Sequence, residues 1–587
     1  MKKIFVYLAL LAATIVSFGC SEEEYDSRYK DPSKVSEASL DKLMPGCLLL
    51  ANDWACSTYG RYFGYEPQLM LKLSNQLGLT LDPGIYYHDE YEDYGQPYNN
   101  YPTMVTNLRK MEQLYEELPD DEKPANEAYL LAAKTHLYGM MIYLICEYDD
   151  IPFSEIGQVA LTGDISYANP HYDNGQKLFE MILDELGEIQ AKFATCQKPS
   201  AFSSQDFINH GDLEKWRRYA NSLRLRGALR VSTQGPLASK GQQVIREILD
   251  GNLPIVESID QNIQIARQSS GPLNINGGSG FDWHNLQTAS AEVINRMMKA
   301  GDGGKWVEGQ DDPRLPLMYC LATANGEYPV ENPADEVVAE PLKAGKAIAS
   351  VFRGASANTD YDTYQTMFFT RVNRAYYSRI RKKGFFWENQ NWDHQIVSSY
   401  EMWFIKAEAY QRGWANGDAK AAFTRGISES INFLFKCQNN RSQTELDNSD
   451  GDYLNGAQQR TVINPDQSIY NEEWITNFAN DRWTTHIDGT PYAGGELEAI
   501  LEQKWIAFGF LHGGEQWSDM RRTGYPRMYY PADHDTNALT PYPCNRLRYV
   551  AKERSYNSNF KDEVGAHDNY SDVLFWAIPN WHDGPTY

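Results

Sequence analysis

Four stretches of this 587-residue chain set aromatic rings among hydroxyl, amide and carboxylate side chains in polar, turn-rich sequence. The first, YYHDEYEDYGQPYNNY (86–101), carries Tyr86, Tyr87 and Tyr91. The second, GGSGFDWHN (277–285), places Trp283 between Asp282 and His284 on a glycine-rich segment. Tyr361 and Tyr364, then Trp387 and Trp392, repeat the pattern. Such residues suit a sugar, which offers weakly apolar C–H faces to flat rings and hydroxyls to polar side chains. An aromatic contact adds roughly 0.5–1.5 kcal/mol beyond its buried area. Two or three of them with a few hydrogen bonds give about −4 to −6 kcal/mol, a Kd of roughly 1 mM to tens of µM. That range fits capture followed by release. The alternative for each ring is packing of a loop onto its scaffold.

Other chemistry finds less support. The glycines of 277–280 lack the spacing of a phosphate loop. DNSDGDY (447–453) is similar to a calcium loop, but Asp452 stands where Gly is needed and Gln458 where Glu is needed. No cofactor or metal is therefore expected, with a noncanonical calcium site left open. His88, Asp89 and Glu90 are sequence neighbours and converge on one ion only if their loop bends. A glycosidase needs two carboxylates about 5–9.5 Å apart. In a chain with 79 acidic residues such pairs are everywhere and carry no information. No GxSxG nucleophile motif occurs. Binding rather than catalysis is the expectation; the alternatives are a peptide-binding receptor, which would need charged or strand-edge contacts more than stacking rings, and then a secreted glycoside hydrolase.

The N-terminus says where this binding takes place. Lys2 and Lys3 precede an apolar run over 4–16, too short to span a membrane and followed by small residues, which is a secretory signal over 1–19. Cys20 follows directly, with Gly19 before it and Ser17 where a lipoprotein signal usually has Leu. An acylated Cys20 would be the mature N-terminus and a membrane anchor, since each buried acyl CH₂ contributes roughly 0.8 kcal/mol. An ordinary cleavage site that happens to precede Cys is the other reading. Glu22, Glu23, Glu24 and Asp26 make 20–35 an acidic tether. The formal net charge is −25, and removal of the two lysines makes it more negative; such a surface repels nucleic acid. The seven other cysteines, at 47, 56, 146, 196, 320, 437 and 544, form no metal spacing or disulfide framework, though Cys47 and Cys56 are near enough in sequence to pair.

Helices must position these segments. Apolar spacing predicts them over 36–54, 99–118, 127–146, 172–193, 212–232, 291–300, 398–413, 418–437, 496–510 and 517–523. The run 129–145 reads as a fully buried helix. Consecutive pairs with short breaks suggest stacked helical hairpins of the tetratricopeptide kind. The fold class is mainly α, in one domain over 36–587, with irregular regions at 75–98, 251–290, 301–397 and 438–495 and short strands near 347–352 and 366–372. Long irregular regions within a compact domain usually carry function.

Three stretches show how the scaffold is held. In EKWRRYANSLRLRGALRVS (214–232), Leu223, Leu225 and Leu229 face the core while Arg226 and Arg230 seek acids on neighbouring helices. Glu408 stands among small and apolar residues and needs an Arg partner. Trp517 plugs a groove, and Asp519 with Arg521 or Arg522 locks the turn behind it.

These stretches resemble the SusD/RagB-like outer-membrane lipoproteins, through KW…ANSLRLR, MWFIKAEAYQRGW and QKWIAF…W-x-D-x-RRTGYP. DDPRLPLMY (311–319), RLRYVAKERSYN (546–557) and YLLAAKTHLYGMMIYLICEYDDIPFSE (129–155) extend the likeness in order from Cys20 almost to Tyr587. The aromatic end DVLFWAIPNWHDG departs from it. The acidic tether likewise resembles the signal that sends such lipoproteins to the outer face of the outer membrane. The resemblance implies a tetratricopeptide-like scaffold anchored through Cys20. It also implies a lid on a SusC-like TonB-dependent transporter that captures oligosaccharides, or peptides in some members, without catalysis.

Overall fold

The structure is a computed structural model that describes residues 38–56, 58, 60–78, 86, 96–266, 288–299, 304–323, 349–357, 377–381, 393–439, 462–533 and 540–584. The signal, Cys20 and the acidic tether lie outside these residues, as does the strand expected over 366–372. The longer helices described are α1 (Leu40–Leu50), α2 (Tyr101–Glu117), α3 (Lys123–Tyr148), α4 (Gly175–Phe193), α5 (Leu213–Ser232) and α6 (Ala238–Leu249). They continue with α7 (Ala291–Met297), α8 (Ser399–Gln411), α9 (Ala419–Asn439), α10 (Glu472–Arg482), α11 (Gly495–Phe508) and α12 (Gly513–Thr523). Two small antiparallel ladders accompany them: β1 (Ile263–Ile265) with β4 (His394–Val397), and β2 (Ala322–Thr323) with β3 (Ala349–Val351). The protein is mainly α, as its periodicity predicts.

Helices pack as neighbours in sequence: α2 on α3, α4 on α5, α5 on α6, and α8 on α9. The pair α8 with α9 is the hairpin expected from 398–413 and 418–437, and α5 with α6 adds one not expected. The reasons are local. Asp212 caps α5, its Oδ1 accepting the N–H groups of Glu214 at 3.0 Å and Lys215 at 3.1 Å. Asp418 does the same before α9, accepting the Ala421 N–H at 2.9 Å. Pro124 lies in the first turn of α3, where a missing N–H costs nothing. Among the described residues α3 alone is long and apolar enough to cross a membrane, and it is buried within the fold. Its His136 is fully buried, with Nδ1 2.9 Å from the Tyr219 hydroxyl.

Three elements escape the sequence pattern. Helix α6 is not signalled, because Gly241 and four polar residues interrupt its first two turns. Helix α10 lies inside the region 438–495 that reads as irregular. Arg61–Met70 forms a π-helical stretch despite an internal Pro67. The described cysteines are free, so Cys47 and Cys56 do not pair; Cys47 packs against Met104 and Met111.

Buried charges tie the hairpins together. Arg226 donates through Nε and Nη2 to the two Glu401 carboxylate oxygens, each at 2.6 Å, and Arg230 pairs with Glu515. Glu408 finds its partner in Arg522, at 2.6 and 2.7 Å, with Arg412 adding a contact at 2.8 Å. Asp519 is held by Lys504 at 2.8 Å and Arg522 at 3.0 Å. Arg521 takes a different role: its guanidinium lies 3.4 Å from the centre of the buried Trp517 ring. Burial pushes the Glu408 carboxyl up, yet the Arg522 and Arg412 charges outweigh it and bring it to about 2.

Candidate functional site

Of the residues expected to meet a ligand, Tyr87, Tyr91, Asp282, Trp283, His284, Tyr361, Tyr364, Trp387 and Trp392 lie outside the described residues. So do the 447–453 loop and His88, Asp89 and Glu90. Tyr86 is described, and it corrects the expectation of an open ring. It is 1% exposed; its hydroxyl donates to the Pro531 carbonyl and its ring centre lies 6.1 Å from that of Tyr530. With its face covered and its hydroxyl committed, Tyr86 packs its segment onto the 529–531 turn. No group of three or more His, Cys, Asp or Glu side chains able to hold a metal ion occurs among the described residues.

The residues that flank the ring-bearing segments converge. Gly78, at the head of the first, donates its N–H to the Thr288 carbonyl at 2.9 Å, and Thr288 closes the second. Ala289 is the hub. Its N–H donates to Ser378 at 2.7 Å and its carbonyl accepts from Ala355 at 2.8 Å, so both flanks of the Tyr361–Tyr364 segment meet there. Arg381, before the Trp387–Trp392 segment, donates to the Met318 carbonyl at 2.7 Å, while its neighbour Arg379 accepts from Cys320 at 2.8 Å and bridges Thr288. On the far side β1 pairs with β4, Ile265 opposite His394, setting the start of the Trp283 segment beside the end of the Trp387–Trp392 segment. Four segments scattered over three hundred positions thus share one root of short β-bridges.

That root is braced by the helical core. Gln76 donates to the Trp505 carbonyl of α11 at 3.2 Å and accepts the Tyr319 hydroxyl at 3.2 Å. Trp505 Nε1 donates to the Ser74 carbonyl at 2.8 Å. Ser290 caps α7, accepting the Val293 N–H at 3.1 Å, and its own hydroxyl donates to the Asn75 carbonyl at 2.6 Å. Displacing Gly78, Ala355 or Ser378 breaks a backbone hydrogen bond to Thr288 or Ala289.

A cavity of about 460 Å³ opens beside this root, between α7, Gly304, the 352–354 strand end and Asp488. Its floor is apolar: Ile294, Met298 and Phe352 are all buried. Its rim is polar, with Asn295, Lys299, Arg353 and Asp488. Two glycines let the wall close. A Cβ on Gly354 would fall 2.1 Å from the Ser290 carbonyl oxygen, and one on Gly304, at φ +82°, would fall 2.6 Å from that of Phe352. Sequence reasoning missed this rim, because its members belong to three segments that no periodicity links. It also missed Tyr529 and Tyr542, 56% and 42% exposed in a proline-rich turn. The criterion of a ring among turn residues would have selected both.

One nearby constellation has the composition of an acid–base site and a different use. The fully buried Glu502 accepts from Tyr492 at 2.7 Å, lies 2.9 Å from His486 Nδ1 and pairs with Arg296. Burial raises its pKa, but Arg296 and these donors bring it below the ordinary carboxylate value. Both oxygens are committed to protein partners, so it pins α7 to α11.

The comparisons with known proteins follow this geometry. A SusD-like family model, described as starch-binding associating with outer membrane, matches residues 76–549. Comparison with curated protein sequences gives no match. Among solved structures, the fold is similar to a chitin-binding protein at a TM-score of 0.65 and 19% identity, covering 91% of this chain and 100% of that one. A SusD homologue from Bacteroides fragilis gives 0.63 and 19%, covering 93% and 100%. A chitin-binding SusD homologue from Flavobacterium johnsoniae gives 0.60 and 18%, covering 92% and 99%. At these identities the structural likeness concerns the fold, while the family match extends through the scaffold, the β-bridge root and the cavity lining. The chain belongs to the SusD-like family.

Proposed function

We propose that this chain is a cell-surface glycan-binding lipoprotein that captures oligosaccharides and passes them to a TonB-dependent transporter in the outer membrane. The observation that carries the reading is the shared root: at least one flank of each of the four ring-bearing segments is bridged to a neighbouring strand there. A glycan needs several weak contacts at once, and segments with a common base can supply them together. In this reading Tyr87, Tyr91, Trp283, Tyr361, Tyr364, Trp387 and Trp392 offer ring faces, and Asp282 and His284 meet hydroxyls. Cys20 carries the acyl anchor, the acidic tether spaces the domain over 36–587 from the membrane, and no step of catalysis is involved. The family description and the two chitin-binding relatives support a polysaccharide fragment as ligand.

Affinity electrophoresis of the mature protein through gels containing starch, glycol chitin, xylan or pectin tests this. Retardation by one polysaccharide, with no reducing ends released from it, is the expected result. Release of reducing ends would make the protein a hydrolase, and free migration in every gel would remove the glycan reading. For the anchor, Cys20→Ala is expected to move the protein from the membrane to the soluble fraction; unchanged membrane fractionation would contradict acylation.

A further inference from the structure

The aromatic end of the chain, DVLFWAIPNWHDG, departs from the family pattern and lies beyond the matched residues 76–549. There it builds a stack of rings. The His582 imidazole lies parallel to the Tyr542 ring, at 10° and with 5.0 Å between centres. Beside it Trp581, 2% exposed, meets Tyr530 edge-on at 5.4 Å, and the Tyr530 hydroxyl donates to the Leu73 carbonyl at 2.8 Å. Both turns that carry the stack are fixed. On one, Asp533 donates its N–H to the Pro541 carbonyl at 2.8 Å, and the Thr540 hydroxyl donates to the Tyr542 carbonyl at 2.7 Å. On the other, a 3₁₀ turn over Trp581–Asp583, Asn580 takes the left-handed conformation at φ +50° and accepts the Asp583 N–H at 2.9 Å. Burial holds the His582 imidazole below its ordinary pKa, against the pull of Asp583, so the stack is uncharged at neutral pH.

One face of Tyr542 is thus covered and its orientation set, while 42% of the residue remains exposed. A ring held this way loses little freedom when a ligand stacks on its other face. Polar groups stand on the neighbouring turn. Asn580 and Asp583 are both exposed, and Asp583 Oδ1 lies 3.9 Å from His582 Nε2. A second ring is near. Burial raises the pKa of the Tyr86 hydroxyl, and Asp533, Tyr529 and Tyr542 beside it raise it further, so Tyr529, 56% exposed, flanks the same spot. A sugar ring offers a C–H face to Tyr542 and hydroxyls to the amide and the carboxylate. That carboxylate and the chain's charge of −25 favour a neutral sugar over an anionic one. We infer that Tyr542, stacked on His582 and flanked by Tyr529, Asn580 and Asp583, is a further contact for a neutral sugar ring, outside the four ring-bearing segments. The inference rests on the glycan-capture reading and adds to it a subsite completed by residues beyond the family match.

The test is calorimetric titration of the mature protein with maltohexaose, chitohexaose and xylohexaose, joined to hydrogen–deuterium exchange of the same mixtures. At least one hexaose is expected to bind and to protect 540–544 and 578–584 from exchange. Tyr542→Ala is expected to weaken binding of that hexaose at least threefold, the size of one aromatic contact, with the melting temperature unchanged. Tyr542→Phe, which keeps the ring, is expected to bind as the native protein does. Should Tyr542→Ala lower the melting temperature or fail to fold, Asn580→Gly with Asp583→Asn, which keeps the left-handed turn, is expected to weaken binding at least threefold instead. A hexaose that binds without protecting those residues, or with an affinity that survives the substitutions, overturns the inference while glycan capture stands. Absence of binding by all three hexaoses while any polysaccharide gel retards the protein also overturns the inference alone. Absence of binding by all three with free migration in every gel overturns both.

Discussion

Arginines, lysines and acids occur in two settings that behave differently. Between α5, α8, α11 and α12 the ion-paired charges are buried or nearly so: Arg226 with Glu401, Arg230 with Glu515, Arg522 with Glu408 and Asp519, while Arg521 lies against Trp517. At the cavity rim Lys299 is exposed and has no ion-pair partner among the described residues. Removing a charge from water costs several kcal/mol unless a partner is built in, so the first set must be structural. A charge kept at the solvent edge incurs no such cost. Residue type does not separate scaffold from surface here; the presence of a built partner does.

The largest effect should come from breaking the scaffold set. Arg522→Ala leaves Glu408 and Asp519 buried without their shared partner, and is expected to lower unfolding free energy by about 3–5 kcal/mol in urea titrations. A loss below about 1 kcal/mol would mean that the belt is not needed for stability. Arg226→Ala is expected to fall just below this, about 3 kcal/mol, because Glu515 retains Arg230. Selective loss of glycan binding at normal stability would instead move Arg226 into the site.

Acid pH should break the same region more gradually. Burial brings His136 and His394 down to about 3, below their ordinary 6.5. The unfolded chain then binds more protons between these values, so stability is expected to fall as pH drops from about 6.5 toward 3. Protonation of Glu408, held at about 2, removes a further contribution between 4.5 and that value. Melting temperatures that stay flat from pH 6.5 to 3 would contradict the burial of these groups. Glu147 works in the opposite sense, since burial pushes its carboxyl up from 4.5 to about 8. Its contribution is present below 4.5 and is lost as pH rises to 8, so Glu147→Gln is expected to flatten the alkaline side of the profile. An unchanged slope there would assign that loss to another group. At the rim, Lys299→Ala should change stability by less than about 0.5 kcal/mol. A larger loss would place Lys299 with the scaffold.

Much of this scaffold was legible before any coordinates. Asp212 and Asp418 announce helix starts, the spacing of Leu223, Leu225 and Leu229 announces a buried face, and an acid among alanines at Glu408 requires a cation. Each is a local rule read along one helix. What stayed hidden is of two kinds. Gly241 in α6 and Pro67 in the π-helical stretch speak against helix by propensity, and tertiary packing overrides them. The root and the cavity join residues such as Gly78, Ala289, Ala355 and Arg381, which nothing in periodicity brings together. Tyr86 shows the limit of reading a ring by its polar neighbours: its segment is turn-rich, yet its own side chain is buried against Pro531 and Tyr530.

The most direct test of the central claim is calorimetric titration of a triple variant, Trp283→Ala with Trp387→Ala and Trp392→Ala, using the polysaccharide fragment the native protein retains. The account predicts that affinity is lost by at least tenfold while the melting temperature stays within about 1 °C, which corresponds to roughly 1 kcal/mol for a chain of this size. Undiminished binding, or a collapse in melting temperature that assigns those rings to packing, would contradict it.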